Sequence, residues 1–183
     1  ANAMEPRATI VSYLAATDHA TIYTEVQAPH SQRTHFSKVF DRPEHHFRVI
    51  SPDVGGGFGM KNNLFPEDAM CFLAARRLHR PVKWTASRTE SLMSDSHARD
   101  AITNAELAMD ENGKFLALRV RTNHAVGAYL GEAAPVPVGL GSTLYVGVYD
   151  FEAVDISVNA VFTHTTFVGP YRGAGRPEAV YVV

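Results

Sequence analysis

Asp53-Val54-Gly55-Gly56-Gly57-Phe58-Gly59-Met60-Lys61 lies between a short apolar run, Phe47 to Ile50, and a helix-forming segment that begins at Pro66. The run reads as a strand stopped by Pro52. Pro66, Glu67 and Asp68 suit the start of a helix, where a missing N–H costs nothing and acidic groups meet the positive end of the helix dipole. The order strand, glycine loop, helix puts the loop where a chain leaving a sheet commonly supports a ligand. Absent Cβ atoms at Gly55, Gly56 and Gly57 let the backbone turn sharply and offer amides to an anion, and Gly59 allows a second close approach. The lysine-hydroxyl signature of a phosphate loop is missing, and the spacing is not that of a dinucleotide fingerprint. The glycines therefore support a tight turn and a ligand loop equally.

The side chains around this loop divide the same way. Phe58 can wall a planar ligand or plug a core. Lys61 can pair with a carboxylate or reach solvent, Asn62 and Asn63 can cap or bind, and the Gln27 amide can face a cofactor or close a turn. A second glycine-flanked stretch, Tyr171-Arg172-Gly173-Ala174-Gly175-Arg176-Pro177-Glu178, follows much later. The planar fork of Arg172 can hold a carbonyl or carboxylate oxygen near a reacting centre, or sit in a buried ion pair. Pro177 and Glu178 mark a helix start, and Gly173 and Gly175 let backbone amides approach a ligand just before it. Arg176 reads as a surface charge near the cap.

Elsewhere, Thr21 to Val26 reads as a strand and Pro29 to Phe40 as a helix burying Phe36, Val39 and Phe40. The helix from Pro66 continues through Ala69, Phe72, Leu73 and Arg76 and ends near His79 to Pro81. Val82 to Ala86 then forms a strand with Val82 and Trp84 on one face. Ala105 to Met109 and Phe115 to Arg121 flank Asn112-Gly113, a strong hairpin signal, with Leu116, Leu118 and Val120 on the packed face. Val154, Ile156 and Val158 repeat the alternation in another strand. Val126 to Tyr149, rich in Gly and Pro, reads as an extended surface over the rest of the fold. The fold class is α+β, with mixed sheets and packed helices.

Composition narrows the chemistry. A formal charge of −2 over 183 residues gives no general reason to bind nucleic acid or an anionic membrane. The lone Cys71 cannot form an intramolecular disulfide or hold an iron-sulfur centre, so electrons leaving a site here need another polypeptide. The nine histidines include no compact ligand motif, and no metal ligand is assigned to the protein itself. Glu5 with Arg7, and Arg88, Glu90, Arg99 and Asp100, read as structural ion pairs. No apolar run is long enough to span a bilayer, and no signal-peptide core follows the amino terminus. The expected location is cytoplasmic, with a membrane-associated or partner-exported periplasmic complex as the alternative. The start without Met and the stop after a helix-start signal suggest a partial domain, 1–183, truncated at both ends.

At Glu5-Pro6-Arg7, Gln27-Ala28-Pro29-His30, Val54 to Lys61, Arg80-Pro81-Val82-Lys83-Trp84 and Tyr171 to Ala179, the chain closely resembles the molybdenum-binding large subunit of the xanthine oxidase and aerobic carbon monoxide dehydrogenase family. The resemblance covers almost the whole chain. It implies a molybdenum ion held through the dithiolene sulfurs of a pterin cofactor, in the cytosine dinucleotide form. It implies cofactor contacts from Gly56, Gly57, Phe58, Gly59, Arg172, Gly173 and Ala174. Phe58 would line the substrate side and Arg172 would orient substrate or product, the two residues assigned to catalysis.

The implied reaction is hydroxylation of a small-molecule substrate with water-derived oxygen, as in aldehyde oxidases. Electrons would pass to an iron-sulfur small subunit and an FAD-binding medium subunit in a dimer of heterotrimers. The family's catalytic glutamate would lie beyond Val183, so this segment alone would be inactive. Asn62 and Ala174 depart from the purine hydroxylases. Gly173 stands where copper-containing carbon monoxide dehydrogenases carry cysteine. An aldehyde or aromatic N-heterocycle fits those departures best; carbon monoxide oxidation and a noncatalytic cofactor-binding or assembly role are the alternatives.

Overall fold

Alternation in β1 (Ala8–Leu14) puts Thr9, Val11 and Tyr13 on the side of the core and Ile10, Ser12 and Leu14 on the other side. The computed structural model describes residues 2–183, which divide into two units, Asn2–Asp95 and Ser96–Val183. Each builds its own α+β core.

In the first unit, β1 lies in a four-stranded mixed sheet with β2 (His19–Thr24), β3 (Phe47–Ile50) and β4 (Val82–Thr85), in the order β3-β2-β1-β4. β1 runs antiparallel to β2 and β4, in register at Val11 with Ile22 and with Val82. β2 and β3 are parallel, which requires a crossover, and α1 (Pro29–Phe40) supplies it. Gln32, Phe36 and Phe40 step by four along α1, so Phe36 is fully buried and Phe40 partly so. Val39 falls to the side of that line and is 60% exposed, contrary to the expected buried face.

The second helix, α2 (Pro66–Leu78), buries Asp68, Cys71, Phe72 and Ala75. That i, i+3, i+4, i+7 stripe replaces the expected one, since Leu73 and Arg76 are exposed. Phe36, Phe47 and Phe72 meet at centroid distances of 5.3 to 6.2 Å, within the range of favourable aromatic pairs. A short helix, α3 (Arg88–Ser94), carries a signal the sequence reading passed over. Ser87 and Glu90 form a capping box, in which the Glu90 carboxylate accepts the Ser87 N–H at 2.6 Å and Ser87 Oγ accepts the Glu90 N–H at 3.2 Å.

Arg7 closes this unit from within. Its guanidinium donates to Asp95 at 2.7 Å, to Glu67 at 3.0 Å and to Ser94 at 2.9 Å, while lying over the Phe65 ring. Burial pulls its pKa down, but the two carboxylates outweigh burial and the net shift is upward. The expected Glu5–Arg7 pair is thus not formed. Arg88 likewise donates to Asn2 and the Met4 carbonyl rather than to Glu90.

In the second unit, β5 (Ala101–Met109) and β6 (Phe115–Gly127) form the hairpin, and β7 (Ala153–Phe162) pairs parallel to β6. The Asp110 carboxylate holds the turn by accepting the Asn112 and Lys114 amides at 2.9 and 2.8 Å. Leu118 and Val120 pack with Tyr145 and Ala179, whereas Val154 is 42% exposed. The stretch 126–149, expected to be extended surface, contains the end of β6 and the helix α4 (Pro135–Ser142). Pro135 and Pro137 fall in the first turn, where N–H groups have no partner within the helix. Packing against α5 (Arg176–Val182) holds this Pro/Gly-rich sequence helical.

Candidate functional site

The first glycine loop leaves β3 and enters α2 as the spacing predicts, through one short 3-10 turn, Met60–Asn62. Its backbone is left-handed at Gly56, Phe58 and Gly59. For Phe58 that conformation is uncommon and needs support from its surroundings. The support is visible at both ends. The Glu5 carboxylate accepts the Gly55 N–H at 2.6 Å, and Gln27 Oε1 accepts the Gly59 N–H at 2.8 Å. Gln27 therefore makes the turn contact of its two readings.

Gly57 explains why glycine is needed here. A Cβ at this position would stand 2.5 Å from the Gln27 side chain. Between the two anchored amides, those of Gly56, Gly57 and Phe58 donate to no acceptor among the described residues. Phe58 is 41% exposed, so it does not plug the core of its unit. Free amides on an anchored glycine backbone suit an anionic or carbonyl-bearing ligand.

Beneath the loop lies a buried polar cluster. Lys61, 1% exposed, directs Nζ to Glu5 Oε2 at 3.2 Å, so it neither reaches solvent nor offers a free phosphate ligand. Burial pushes Glu25 up, and it pushes Asp68 up to about 6 against the Phe65 N–H and the Arg7 charge. Asp68 Oδ2 also accepts the Phe65 N–H at 3.3 Å, so the cap of α2 belongs to Asp68 rather than to Asn62 or Asn63. Of these groups Glu5 touches the loop itself, through the Gly55 amide.

The second loop belongs to the other unit. Gly173, Ala174 and Gly175 are left-handed. Gly175 has no room for a side chain, since its Cβ would meet the Pro137 carbonyl at 2.6 Å and the Gly141 amide at 2.7 Å. The Ala174 and Arg176 amides close turns onto Tyr171 and Gly173. Those of Arg172, Gly173 and Gly175 donate to no acceptor among the described residues. The Arg172 side chain is exposed and forms no ion pair among the described residues, against the buried-pair reading. Arg176 is a surface group bonded to the Gly173 carbonyl at 3.2 Å. Arg99, read from sequence as part of a structural ion pair with its neighbours in the chain, turns instead to this loop: its Nη2 donates to the Arg172 carbonyl and its guanidinium lies 4.4 Å from the Tyr171 ring centroid.

Gly56 to Gly59 are thus contiguous on one loop, and Arg172 to Ala174 on another. Each loop, taken by itself, presents backbone donors that no acceptor among the described residues uses. Among the described residues, no group of three or more His, Cys, Asp or Glu side chains is placed to hold a metal ion. No helix among them is long and apolar enough to cross a membrane.

Comparison with known proteins bears on this geometry. The family described as "Molybdopterin cofactor-binding domain" matches residues 1–183. The chain is 38% identical over 178 residues to the 6-hydroxypseudooxynicotine dehydrogenase complex subunit gamma of Paenarthrobacter nicotinovorans, covering 97% of this chain and 22% of that protein. It is 39% identical over 167 residues to the carbon monoxide dehydrogenase large chain of Hydrogenophaga pseudoflava, covering 89% of this chain and 21% of that one. Its fold matches the crystal structure of quinoline 2-oxidoreductase from Pseudomonas putida 86 with a TM-score of 0.90 and 36% identity, over 94% of this chain and 22% of that chain. The chain therefore spans about a fifth of the length of these relatives. It belongs to the molybdopterin cofactor-binding domain family, in the large-subunit lineage of the molybdenum hydroxylases.

Proposed function

We propose that this chain is a cofactor-gripping segment of a larger molybdenum-dependent oxidoreductase, inactive alone, that supplies cofactor and substrate contacts to the whole site. The observation that carries this reading is the run of amides at Gly56, Gly57 and Phe58 that meet no acceptor among the described residues, held between Glu5 and Gln27 on a backbone where a Cβ at Gly57 would displace the Gln27 side chain. The Gly56 to Gly59 backbone would grip the cofactor's polar edge. Arg172, Gly173 and Ala174 would add a second set of contacts. The exposed Phe58 ring would shape the substrate side, and the free Arg172 guanidinium would orient a substrate oxygen and stabilise negative charge on it.

The bound group would be a molybdenum-pterin cofactor in the cytosine dinucleotide form, supplying oxygen transfer and two-electron redox chemistry. Electrons would leave through iron-sulfur and FAD-binding partner subunits. For the whole protein, an aromatic N-heterocycle or an aldehyde is the substrate class, supported by the likeness to quinoline 2-oxidoreductase. A second reading, carbon monoxide oxidation, is supported by the 39% identity to a carbon monoxide dehydrogenase large chain, although Gly173 offers no thiol to hold copper.

The test is purification of the full-length protein with its partner subunits after cofactor-competent expression, followed by assay of molybdenum, released cytosine nucleotide and copper. Molybdenum and pterin in near-stoichiometric amounts support the reading, and their absence overturns it. Turnover of quinoline, an aromatic aldehyde or carbon monoxide with an artificial electron acceptor then separates the substrate classes. Copper accompanied by carbon monoxide turnover selects the second.

A further inference from the structure

The second loop is shaped from outside its own sequence. Upstream, His97 pairs with Val168 in a parallel bridge. The His97 N–H donates to Phe167 O at 3.1 Å, and the Gly169 N–H donates to His97 O at 2.8 Å. This bridge brings the segment before β5 alongside the chain entering the loop. Two residues on, Arg99 adopts left-handed backbone with φ of 63°, a conformation that a non-glycine residue keeps only where its surroundings enforce it.

We propose that Arg99 is the positioning residue of the second cofactor loop. Its guanidinium covers the Tyr171 ring at 4.4 Å, donates through Nη2 to the Arg172 carbonyl, and faces Glu178 Oε1 across 3.7 Å. One side chain thus touches the first, second and last residues of the stretch Tyr171 to Glu178. It holds Arg172 by the main chain alone and leaves that residue's guanidinium and the Arg172 and Gly173 amides without a partner among the described residues, open to a ligand. A lysine ammonium cannot reproduce this contact set, because the planar fork combines stacking with separately directed N–H donors. The inference rests on the cofactor reading above, and it adds a residue that belongs to neither glycine stretch.

The experiment uses the full-length protein in its complex, with Arg99→Lys, Arg99→Met, Tyr171→Phe and Tyr171→Leu. Three quantities are measured: molybdenum lost per chain during dialysis, the melting temperature, and tryptic cleavage after Arg172 in cofactor-stripped protein. The expected result is that both Arg99 variants and Tyr171→Leu lose molybdenum about tenfold faster at a near-unchanged melting temperature, the size given by one charge-assisted contact. Cleavage after Arg172 should rise in the same variants. Tyr171→Phe keeps the ring and should behave as wild type.

Wild-type retention and wild-type cleavage in Arg99→Lys and Arg99→Met would overturn the assignment. So would losses that merely track a lowered melting temperature. A wild-type complex that never holds molybdenum refutes the cofactor reading instead, and the cleavage assay then still decides whether Arg99 shapes the loop.

Discussion

Glu5 and Lys61, 56 positions apart, meet at 3.2 Å with the lysine buried, and the same Glu5 oxygen accepts the Gly55 amide at 2.6 Å. One carboxylate therefore neutralises the buried cation behind the glycine loop and pins the loop's entrance. Glu5→Gln removes the charge while keeping the shape. Lys61 then sits in a low-dielectric site with weaker compensation, and the expected destabilisation is about 1–3 kcal/mol in urea unfolding. A Glu5→Gln midpoint matching wild type would show that Lys61 draws its compensation elsewhere.

Gly57 and Gln27 should be coupled. Gly57→Ala puts a methyl group into the Gln27 side chain and so disturbs its bond to the Gly59 amide. The expected cost is about 1–3 kcal/mol, as for overpacking. Gln27→Ala opens the space, so the double variant should be less destabilised than the sum of the single ones. Strict additivity in a double-mutant cycle would contradict this.

Asp68 makes the first unit sensitive to pH. Its folded pKa stands at about 6 against an ordinary 3.8, so the folded state holds the proton more tightly than the unfolded chain. The associated stability is full below pH 3.8 and is lost as pH rises through about 6. The loss amounts to roughly 3 kcal/mol at about 1.4 kcal/mol per pH unit. Glu25, also shifted upward by burial, adds slope of the same sign. Unfolding followed from pH 4 to about 7 should show this slope in the wild type and a flatter profile in Asp68→Asn.

His124 Nε2 and Glu178 Oε2 are buried without hydrogen-bond partners among the described residues, and both residues line a cavity of about 10 Å³ beside Thr122 and Tyr145. That space matches one water molecule, and such a site needs polar partners, which it has. A high-resolution crystal structure should show a single ordered water there. Its disappearance in His124→Phe, with the rest of the site unmoved, would confirm what holds it.

Local rules made much of this protein legible. Pro29 and Pro66 begin helices, Asn112-Gly113 closes a hairpin, and the glycine loop joins β3 to α2, because proline, glycine and capping effects act within a few residues. The capping box at Ser87 and Glu90 was equally local and was overlooked. The helix at Pro135–Ser142 was not legible, because its proline and glycine content opposes a helix until Gly175 and α5 pack on it. The ion-pair partners were hidden for a similar reason. Arg7 finds Asp95 across 88 positions, and Arg99 finds the Arg172 carbonyl across 73.

The sequence by itself determined where the chain turns and which two stretches have backbone bare enough to approach a ligand, since those properties belong to the residue types. Only the tertiary structure decided which amides stay unspent and which side chains brace them. Hydrogen bonds and buried charges select partners by distance in space, and separation along the chain carries no record of that choice.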